Sequence, residues 1–222
     1  MDRPTVIVLD VNETLSDLSG LDGAFAAAGL EPGEREAWFA GVLRDGFALT
    51  AVGQNPGFAE VAAEALRLRL VARGAADPEA GAASVMEAFT RLDVHADVAP
   101  GLRALHASGT RLVTLSNGSA AVADALLERA GLADVVEQTL SVADGPGWKP
   151  LAGAYTRALE VCGVAAGEAM LVAVHPWDLD GAARAGLRTG WVRRGAAGWP
   201  AYALAPEVEA DDLVGLADLL GA

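Results

Sequence analysis

The chain shows two patterns of hydrophobic and polar positions. Residues 5–9 are a run of β-branched and aliphatic side chains, too short for a helix, that ends in Asp10 and a polar turn. Such a run is typical of a buried parallel strand. From residue 16 to about residue 94 the apolar side chains recur at helical spacing, and Gly- and Pro-rich turns separate the segments. This part of the chain predicts an all-helical block, with helices over 34–49, 58–71 and 84–92.

After Pro100-Gly101 short aliphatic runs alternate with helical segments. Such alternation predicts a parallel sheet with helices on both faces. The predicted fold is therefore α/β, a doubly wound, Rossmann-like parallel sheet core (residues 1–15 and 97–222) with an inserted α-helical cap domain (residues 16–96). The later predicted strands are 111–115, about 135–140, 170–174 and 188–192, and the later predicted helices are 101–108, 119–130, 151–162 and 179–185.

Composition and charge narrow the range of functions. Binding of nucleic acid requires a basic stripe, and a chain with a net charge of −14 and no such stripe is not expected to bind it. No apolar run approaches the roughly 20 residues of a membrane span, and no signal pattern opens the chain. The single cysteine excludes an internal disulfide. We therefore expect a cytoplasmic protein that binds a small molecule, with a homodimer left open.

Polar residues follow the ends of several predicted strands. Asp10 ends the first strand, Ser116 and Asn117 end the second, and Asp178 follows a later one. In open α/β sheets ligands bind beyond the carboxyl ends of the strands. Asp10 is therefore a candidate nucleophile, with capping of the following turn as the alternative. Ser116 and Asn117 would cradle a carboxylate or a phosphate, or else form a turn that Gly118 closes.

Lys149 is the only lysine among the 16 lysine and arginine residues, and it lies in a predicted Trp-Lys-Pro loop. A compact ammonium can lie between two carboxylates, or adjust its pKa, in ways that a guanidinium cannot. This favours a functional lysine over a surface lysine that persists by chance.

The order acid, hydroxyl, lysine, acid along the chain resembles the haloacid dehalogenase superfamily of aspartate-nucleophile hydrolases, and most closely its 2-haloacid dehalogenase branch. The resemblance extends over nearly the whole chain. It rests on Ser-Asn-Gly-Ser at 116–119, on Lys-Pro with Tyr155 six residues after the lysine, and on Trp177-Asp178 before Gly-Ala-Ala-Arg-Ala-Gly. It implies hydrolytic dehalogenation of a small 2-haloalkanoic acid to the inverted 2-hydroxy acid, through an aspartyl ester and without a cofactor.

The resemblance also implies roles for individual residues. Lys149 would bridge Asp10 and Asp178 and stabilise developing charge. Asp178 would help to activate the hydrolytic water, and Tyr155 would lie near the substrate or near Lys149. His175 stands where the branch usually carries an asparagine. It would hold the water or Asp178, shift the pH dependence of the reaction, or pack as a structural histidine.

The remaining candidates flank these residues. Thr14, four residues after Asp10, would fix the rotamer of that carboxylate or would cap a turn. The branch places a halide-binding arginine one residue after a tryptophan like Trp38, where this chain has Phe39. Arg44, five residues farther on, would replace that arginine or would be a surface or hinge arginine. The other candidates for substrate contact are Asn12 and Trp177.

Two alternatives remain open. Magnesium-dependent phosphatases of the same superfamily carry a second Asp two residues after the nucleophile, where this chain has Asn12, and a Gly-Asp pair where it has Ala173-Val174. An amide cannot act as acid and base, and a hard cation usually needs more than one carboxylate, so no metal ion is expected. The other alternative is a non-catalytic protein of the same fold that binds a ligand or a second copy.

Overall fold

The computed structural model describes residues 3–31, 33–195 and 198–222. Within these residues six strands form one sheet in which every neighbouring pair is parallel. In chain order the strands are β1 (Val6–Leu9), β2 (Arg111–Ser116), β3 (Gln138–Ser141), β4 (Ala169–Ala173), β5 (Arg188–Val192) and β6 (Val208–Ala210). They lie in the order β3-β2-β1-β4-β5-β6 across the sheet.

Nine α-helices accompany the sheet in the described part of the chain. They are α1 (Asp22–Ala27), α2 (Glu34–Ala51), α3 (Phe58–Ala72), α4 (Pro78–Phe89), α5 (Val98–Ala107), α6 (Ala120–Arg129), α7 (Ala152–Cys162), α8 (Pro176–Arg184) and α9 (Leu213–Leu219). Short 3-10 turns lie at Leu18–Leu21, Val142–Asp144 and Ala166–Glu168.

β1 is the centre of the sheet, with β2 on one side and β4 on the other. Its residues are fully buried because helices cover both faces. Ile7 and Leu9 pack with α5 and α9, and Val6 and Val8 pack with α7 and α8. The predicted α/β class with a doubly wound parallel sheet is therefore confirmed. The strand order reverses between β1 and β4, which is where sheets of this type bind ligands.

The helices α1 to α4, here called the helical layer, lie between β1 and β2 in the sequence. The buried ring of Trp38 packs edge-on against Phe89 inside this layer, with a centroid distance of 6.2 Å. Trp148 joins the layer to the sheet. Its ring stacks on Phe58 at 5.8 Å, and its Nε1 donates to the carbonyl oxygen of Pro56 at 2.9 Å.

Gly46 in α2 permits the close approach of Trp148. A Cβ atom at position 46 would lie 2.2 Å from two ring atoms of Trp148, so a larger residue would push the ring away. The backbone N–H of Trp148 also donates to Oγ1 of Thr50 at 3.1 Å, and Nδ2 of Asn55 donates to the carbonyl oxygen of Gly145 at 3.0 Å. The helical layer therefore lies against the loop that follows β3, at the carboxyl edge of the sheet.

Three helices begin earlier than predicted. α4 begins six residues earlier because Asp77 caps it, accepting from the N–H of Ala80 at 3.0 Å. α5 begins three residues earlier and holds Pro100 in its first turn, where proline is tolerated. α8 begins at Pro176, so Asp178 lies in the first turn of that helix and not in the loop before it.

The short elements β6 and α9 lie outside the predicted set, and α1 lies within the predicted helical block but has no predicted range of its own. Each spans seven residues or fewer, which is too short to show a clear period in the sequence. Among the helices of the described residues, none is long and apolar enough to cross a membrane.

Candidate active site

Two carboxylates and an ammonium meet beyond the carboxyl ends of β1 and β4. The Nζ of Lys149 donates to Oδ1 of Asp10 at 2.8 Å and to Oδ2 of Asp178 at 2.7 Å. All three residues, here called the ion triad, are buried, with exposed fractions of 0% for Lys149 and Asp178 and 4% for Asp10. Charges this deeply buried are tolerated because each one is paired and hydrogen-bonded.

Asn117 holds the backbone of Lys149. Its Oδ1 accepts from the N–H of Lys149 at 2.9 Å, and its Nδ2 donates to the carbonyl oxygen of Lys149 at 3.4 Å. Because Asn117 follows β2 directly, the edge of the sheet fixes the loop that carries the lysine. The side chain of Asn117 thus contacts the backbone of Lys149, and its contact with a substrate carboxylate or phosphate stays a prediction. Oγ of Ser116 accepts from the N–H of Gly118 at 2.9 Å, which leaves its own proton free to donate.

Asp178 is held by two donors. The hydroxyl of Tyr155, on α7, donates to its Oδ1 at 2.6 Å, and Lys149 donates to its Oδ2. Burial raises the pKa of Asp178, Lys149 acts against this rise, and the Asp10 anion adds to it. Burial also raises the pKa of Tyr155 well above its ordinary value, so Tyr155 stays a donor. A buried carboxyl with a raised pKa is suited to accept a proton from water.

The second oxygen of Asp10 faces a different set of donors. Oγ1 of Thr14 donates to Asp10 Oδ2 at 2.7 Å and accepts from the N–H of Val174 at 3.1 Å. Nδ1 of His175 lies 3.3 Å from the same oxygen. Burial opposes ionisation of Asp10, but Lys149 and His175 outweigh it and hold the pKa of Asp10 well below its usual range. Asp10 is therefore anionic near neutral pH, as a nucleophile requires.

His175 connects Asp10 to a further carboxylate. Its Nε2 lies 2.9 Å from Oε2 of Glu13. Its ring stacks with those of Phe39 and Trp177, at centroid distances of 6.1 and 5.1 Å. Burial disfavours the charged ring, but the hydrogen bonds to Asp10 and Glu13 outweigh it and raise the pKa of His175 to about 9. The ring is therefore charged at neutral pH.

Glu13 is a site residue that the sequence patterns did not indicate. It lies in the turn after β1 with a φ of +64°, in the left-handed region that few residues other than glycine adopt. This backbone conformation accompanies the contact between its carboxylate and His175. The one signal in the sequence is an acid placed between Asp10 and Thr14, where a tight turn after a strand was expected.

Arg44 does not reach the site. Its side chain is 76% exposed and pairs with the adjacent Asp45 at 2.8 Å. Five residues along an α-helix correspond to a rotation of about 140°. Arg44 therefore lies on a different side of α2 from Phe39, which contacts His175. The predicted replacement of a halide-binding arginine by Arg44 is wrong, and the surface alternative holds.

A cavity of about 160 Å³ lies between the helical layer and the ends of β1 and β2. Its lining is mainly apolar, with Phe58 and Phe89 on the side of the helices. Asn12 and Ser116 contribute polar groups on the side of the sheet. Asn12 lies two residues after Asp10 in the chain, but Asp10, Lys149 and Asp178 are not among the residues that line this cavity.

The donor set does not suit a hard divalent cation. Asp10 and Asp178 already bind the ammonium of Lys149, and Asn12 and Val174 add no carboxylate. Magnesium requires several oxygen ligands, usually with more than one carboxylate free to coordinate it. Within the described residues, no group of three or more His, Cys, Asp or Glu side chains is placed to hold a metal ion.

Proteins of known activity resemble this chain in sequence. It is 31% identical over 143 residues to haloacetate dehalogenase H-2 of Moraxella sp. (strain B), a match that covers 64% of each protein. The chain thus spans less than two thirds of that relative's length. It is 29% identical over 190 residues to the (S)-2-haloacid dehalogenase of Xanthobacter autotrophicus, which covers 85% of this chain and 74% of that enzyme.

The fold has a close counterpart among solved structures. The L-2-haloacid dehalogenase from Xanthobacter autotrophicus with chloropropionic acid covalently bound superposes with a TM-score of 0.86 at 26% identity, over 99% of each chain. The sequence model of a haloacid dehalogenase-like hydrolase matches residues 4–186. Since this match covers most of the sequence and includes all three residues of the ion triad, the chain belongs to the haloacid dehalogenase-like hydrolases.

Proposed function

We propose that the chain hydrolyses a small 2-haloalkanoic acid to the 2-hydroxy acid of inverted configuration, by way of an ester on Asp10. The position of Lys149 Nζ, 2.8 Å from Asp10 and 2.7 Å from Asp178, carries this proposal. It keeps Asp10 anionic for attack on carbon, and it brings Asp178 close enough to activate water against the ester. The names of the two relatives support the same activity.

In the first step one oxygen of Asp10 attacks the carbon that bears the halogen, from the side opposite the halogen. The new O–C bond forms as the carbon–halogen bond breaks, and the halide leaves with the electron pair. The configuration at that carbon therefore inverts. The chain contributes an ionised nucleophile held by Lys149 and Thr14 in a single orientation, which lowers the barrier by proximity and alignment.

In the second step Asp178 takes a proton from water, and the water oxygen bonds to Cγ of Asp10. The ester bond between Cγ and the product oxygen then breaks, and the product recovers the proton from Asp178. Asp10 keeps the oxygen that came from water, and its remaining proton passes to solvent. The raised pKa of Asp178 suits this exchange of a proton in both directions.

The cavity that Asn12 and Ser116 line would receive the substituent of the substrate. An apolar cavity of about 150 Å³ can hold benzene, and this one has about 160 Å³. A short alkyl chain or a single ring at the reacting carbon would therefore fill it. The free hydroxyl proton of Ser116 would be donated to the substrate carboxylate.

The arrangement of the chain follows the same proposal. Residues 16–96 would act as a cap domain on a core of residues 1–15 and 97–222, supported by the contacts of Trp148 with Phe58 and Pro56. A cytoplasmic location is supported by Cys162, the single cysteine, which is buried and free. Sedimentation would decide between a monomer and a homodimer.

The test is a screen for halide release from each enantiomer of 2-chloropropionate and for phosphate release from p-nitrophenyl phosphate, with and without EDTA. We expect (S)-2-chloropropionate to yield halide and (R)-lactate, at a rate that the chelator does not change. Phosphate release that depends on magnesium would contradict this and favour the phosphatase alternative. Absence of both activities in folded protein would favour the non-catalytic alternative.

A further inference from the structure

His175 has a carboxylate at each ring nitrogen and stacks with two aromatic rings, those of Phe39 and Trp177. Asp10 Oδ2 lies 3.3 Å from Nδ1, and Glu13 Oε2 lies 2.9 Å from Nε2. Ionised carboxylates only accept hydrogen bonds, so both contacts exist together only when both nitrogens carry a proton. Stacking with Phe39 and Trp177 further favours the charged form of the ring. His175 is therefore an imidazolium fixed against the nucleophile.

The turn that carries Glu13 is held in place from several sides. Glu13 has a φ of +64°, and residues kept in such a strained conformation concentrate at functional sites. Nε2 of His95 lies 3.1 Å from the carbonyl oxygen of Glu13, and Nη2 of Arg194 donates to the carbonyl oxygen of Thr14 at 2.7 Å. These contacts fix the backbone, while the Glu13 side chain makes its contact with His175.

The donors around Asp10 distinguish its two oxygens. Oδ2 accepts from Thr14 and from His175, which engages both of its in-plane lone pairs. Oδ1 accepts from Lys149, which leaves one lone pair. Oδ1 is therefore the oxygen that attacks carbon, and Oδ2 becomes the carbonyl oxygen of the ester.

We infer that His175 stabilises the oxyanion in hydrolysis of the ester, with Glu13 as the positioning residue that holds it. This inference rests on the proposed aspartyl-ester route. When the water oxygen bonds to Cγ, the electron pair of the C=O double bond moves onto Oδ2. The N–H of His175 and the hydroxyl of Thr14 are already directed at that oxygen. Donors placed in advance where charge develops are the most effective form of transition-state stabilisation.

The two half-reactions should respond differently to His175. In the first step the carboxylate of Asp10 loses negative charge, so a cation beside Oδ2 stabilises the starting state more than the transition state. In the second step Oδ2 gains charge, so the same cation stabilises the transition state more. Loss of the cation should therefore leave the first step unchanged or faster, and slow the second. A structural role would slow both steps or neither.

Among the described residues, the other charged groups near His175 lie beyond ion-pair distance of its ring nitrogens. In the described part of the chain, the carboxylates within ion-pair distance of the ring are those of Asp10 and Glu13. Lys149 and Asp178 act on it through Asp10. A cleft of about 670 Å³ on its outer side is also lined by Asp17, Arg35, Glu36, His95, Arg193 and Arg194. Glu36 therefore offers a control with the same charge in the same cleft.

The first experiment measures both half-reactions with (S)-2-chloropropionate by rapid quench. The variants are His175→Leu, which removes the donor, and Glu13→Gln, which removes the charge that holds it, with Glu36→Gln as control. We expect one halide per His175→Leu molecule at about the wild-type rate, then ester hydrolysis slowed on the order of 100-fold. Mass spectrometry should find the ester on the Asp10 peptide of this variant and not in Glu36→Gln.

The second experiment follows ester hydrolysis against pH. The imidazolium is the active form, and in the ester Asp10 has lost the charge that helps to raise the pKa of His175 to about 9. Wild-type hydrolysis of the ester should therefore fall as the pH rises, with its midpoint below about 9. Glu13→Gln should move this fall to lower pH, because one carboxylate that favours the charged ring is gone, and Glu36→Gln should not move it. Glu13→Gly guards against misfolding, since glycine adopts a φ of +64° without strain, and it should show the same shift.

The outcomes separate this inference from the proposed function. Equal slowing of both steps, or an unshifted pH profile in both Glu13 variants, would overturn the roles of His175 and Glu13. Halide release by the wild type would still uphold the proposed function in that case. If the wild type forms no ester and releases no halide, the proposed function fails and the role of the pair fails with it. Ester accumulation in His175→Leu alone would leave His175 as a catalytic residue and overturn the role of Glu13.

Discussion

Replacement of Lys149 by methionine measures what the ammonium contributes to folding. Its Nζ lies 2.8 Å and 2.7 Å from carboxylates of residues that are no more than 4% exposed. Removing one partner of a buried ion pair costs about 3–5 kcal/mol, because the remaining charge is left without compensation. Methionine fills a similar volume, so a cavity adds little. We expect Lys149→Met to lower the free energy of unfolding by about 3–5 kcal/mol near pH 8.

The loss should become smaller as the pH falls. Without the ammonium, burial and repulsion from Asp10 raise the folded-state pKa of Asp178 above its unfolded value, while Thr14 and His175 still stabilise the Asp10 anion. Asp178 then binds a proton more tightly in the folded state. The penalty is therefore complete above the folded-state pKa and is relieved as the pH falls through it. Urea unfolding near pH 8 and near pH 5, with the wild type at each pH, measures the difference.

Arg184→Met is the matched control. Arg184 pairs with Asp180 at 2.8 Å, but its side chain is 60% exposed, and exposed pairs contribute about 1 kcal/mol or less. A cost below about 1 kcal/mol for Lys149→Met, or an equal cost at both pH values, would show that the ammonium does not compensate buried negative charge.

Three further predictions concern turnover. Asp10→Asn should keep the fold and abolish activity, because the amide is nearly isosteric but not nucleophilic; more than about 5% activity without deamidation, checked by mass, contradicts this. Lys149→Arg should lose nearly as much activity as Lys149→Met, because the forked guanidinium displaces a carboxylate; a normal kcat would show that the ammonium is dispensable. Turnover in ¹⁸O-water should label the Asp10 peptide and no other carboxylate, and an unlabelled peptide after many turnovers excludes the ester.

Much of the site follows from the sequence because strand ends are local features. An aliphatic run that stops at a polar residue fixes where β1, β2 and β4 end, and parallel strands bring those ends to one edge. Asp10 and Ser116 could therefore be placed together without any long-range information. Lys149 lies in a loop that has no hydrophobic periodicity. Its functional role was indicated because it is the single lysine of the sequence.

The features that the sequence did not predict depend on how backbone conformation and tertiary contacts orient the side chains. The contact of Glu13 with His175 accompanies a φ of +64°, which no residue pattern encodes. Arg44 was predicted to bind halide because it lies near Phe39 in the sequence. The helical rotation between the two positions of α2 directs its side chain toward solvent. Asn117 was expected to face a ligand, and its bonds to a backbone 32 residues away depend on the tertiary fold.

The link between Trp148 and the helical layer has a mechanical consequence. The ring of Trp148 is fastened to Phe58 and to the carbonyl oxygen of Pro56, and the next residue in the chain is Lys149. A movement of the helices that opens the cavity must either detach this ring or draw the backbone of Lys149 along with it. In the second case, entry of a substrate would move the ammonium of Lys149 away from its two carboxylates. The ion triad would then be complete only while the cavity is closed.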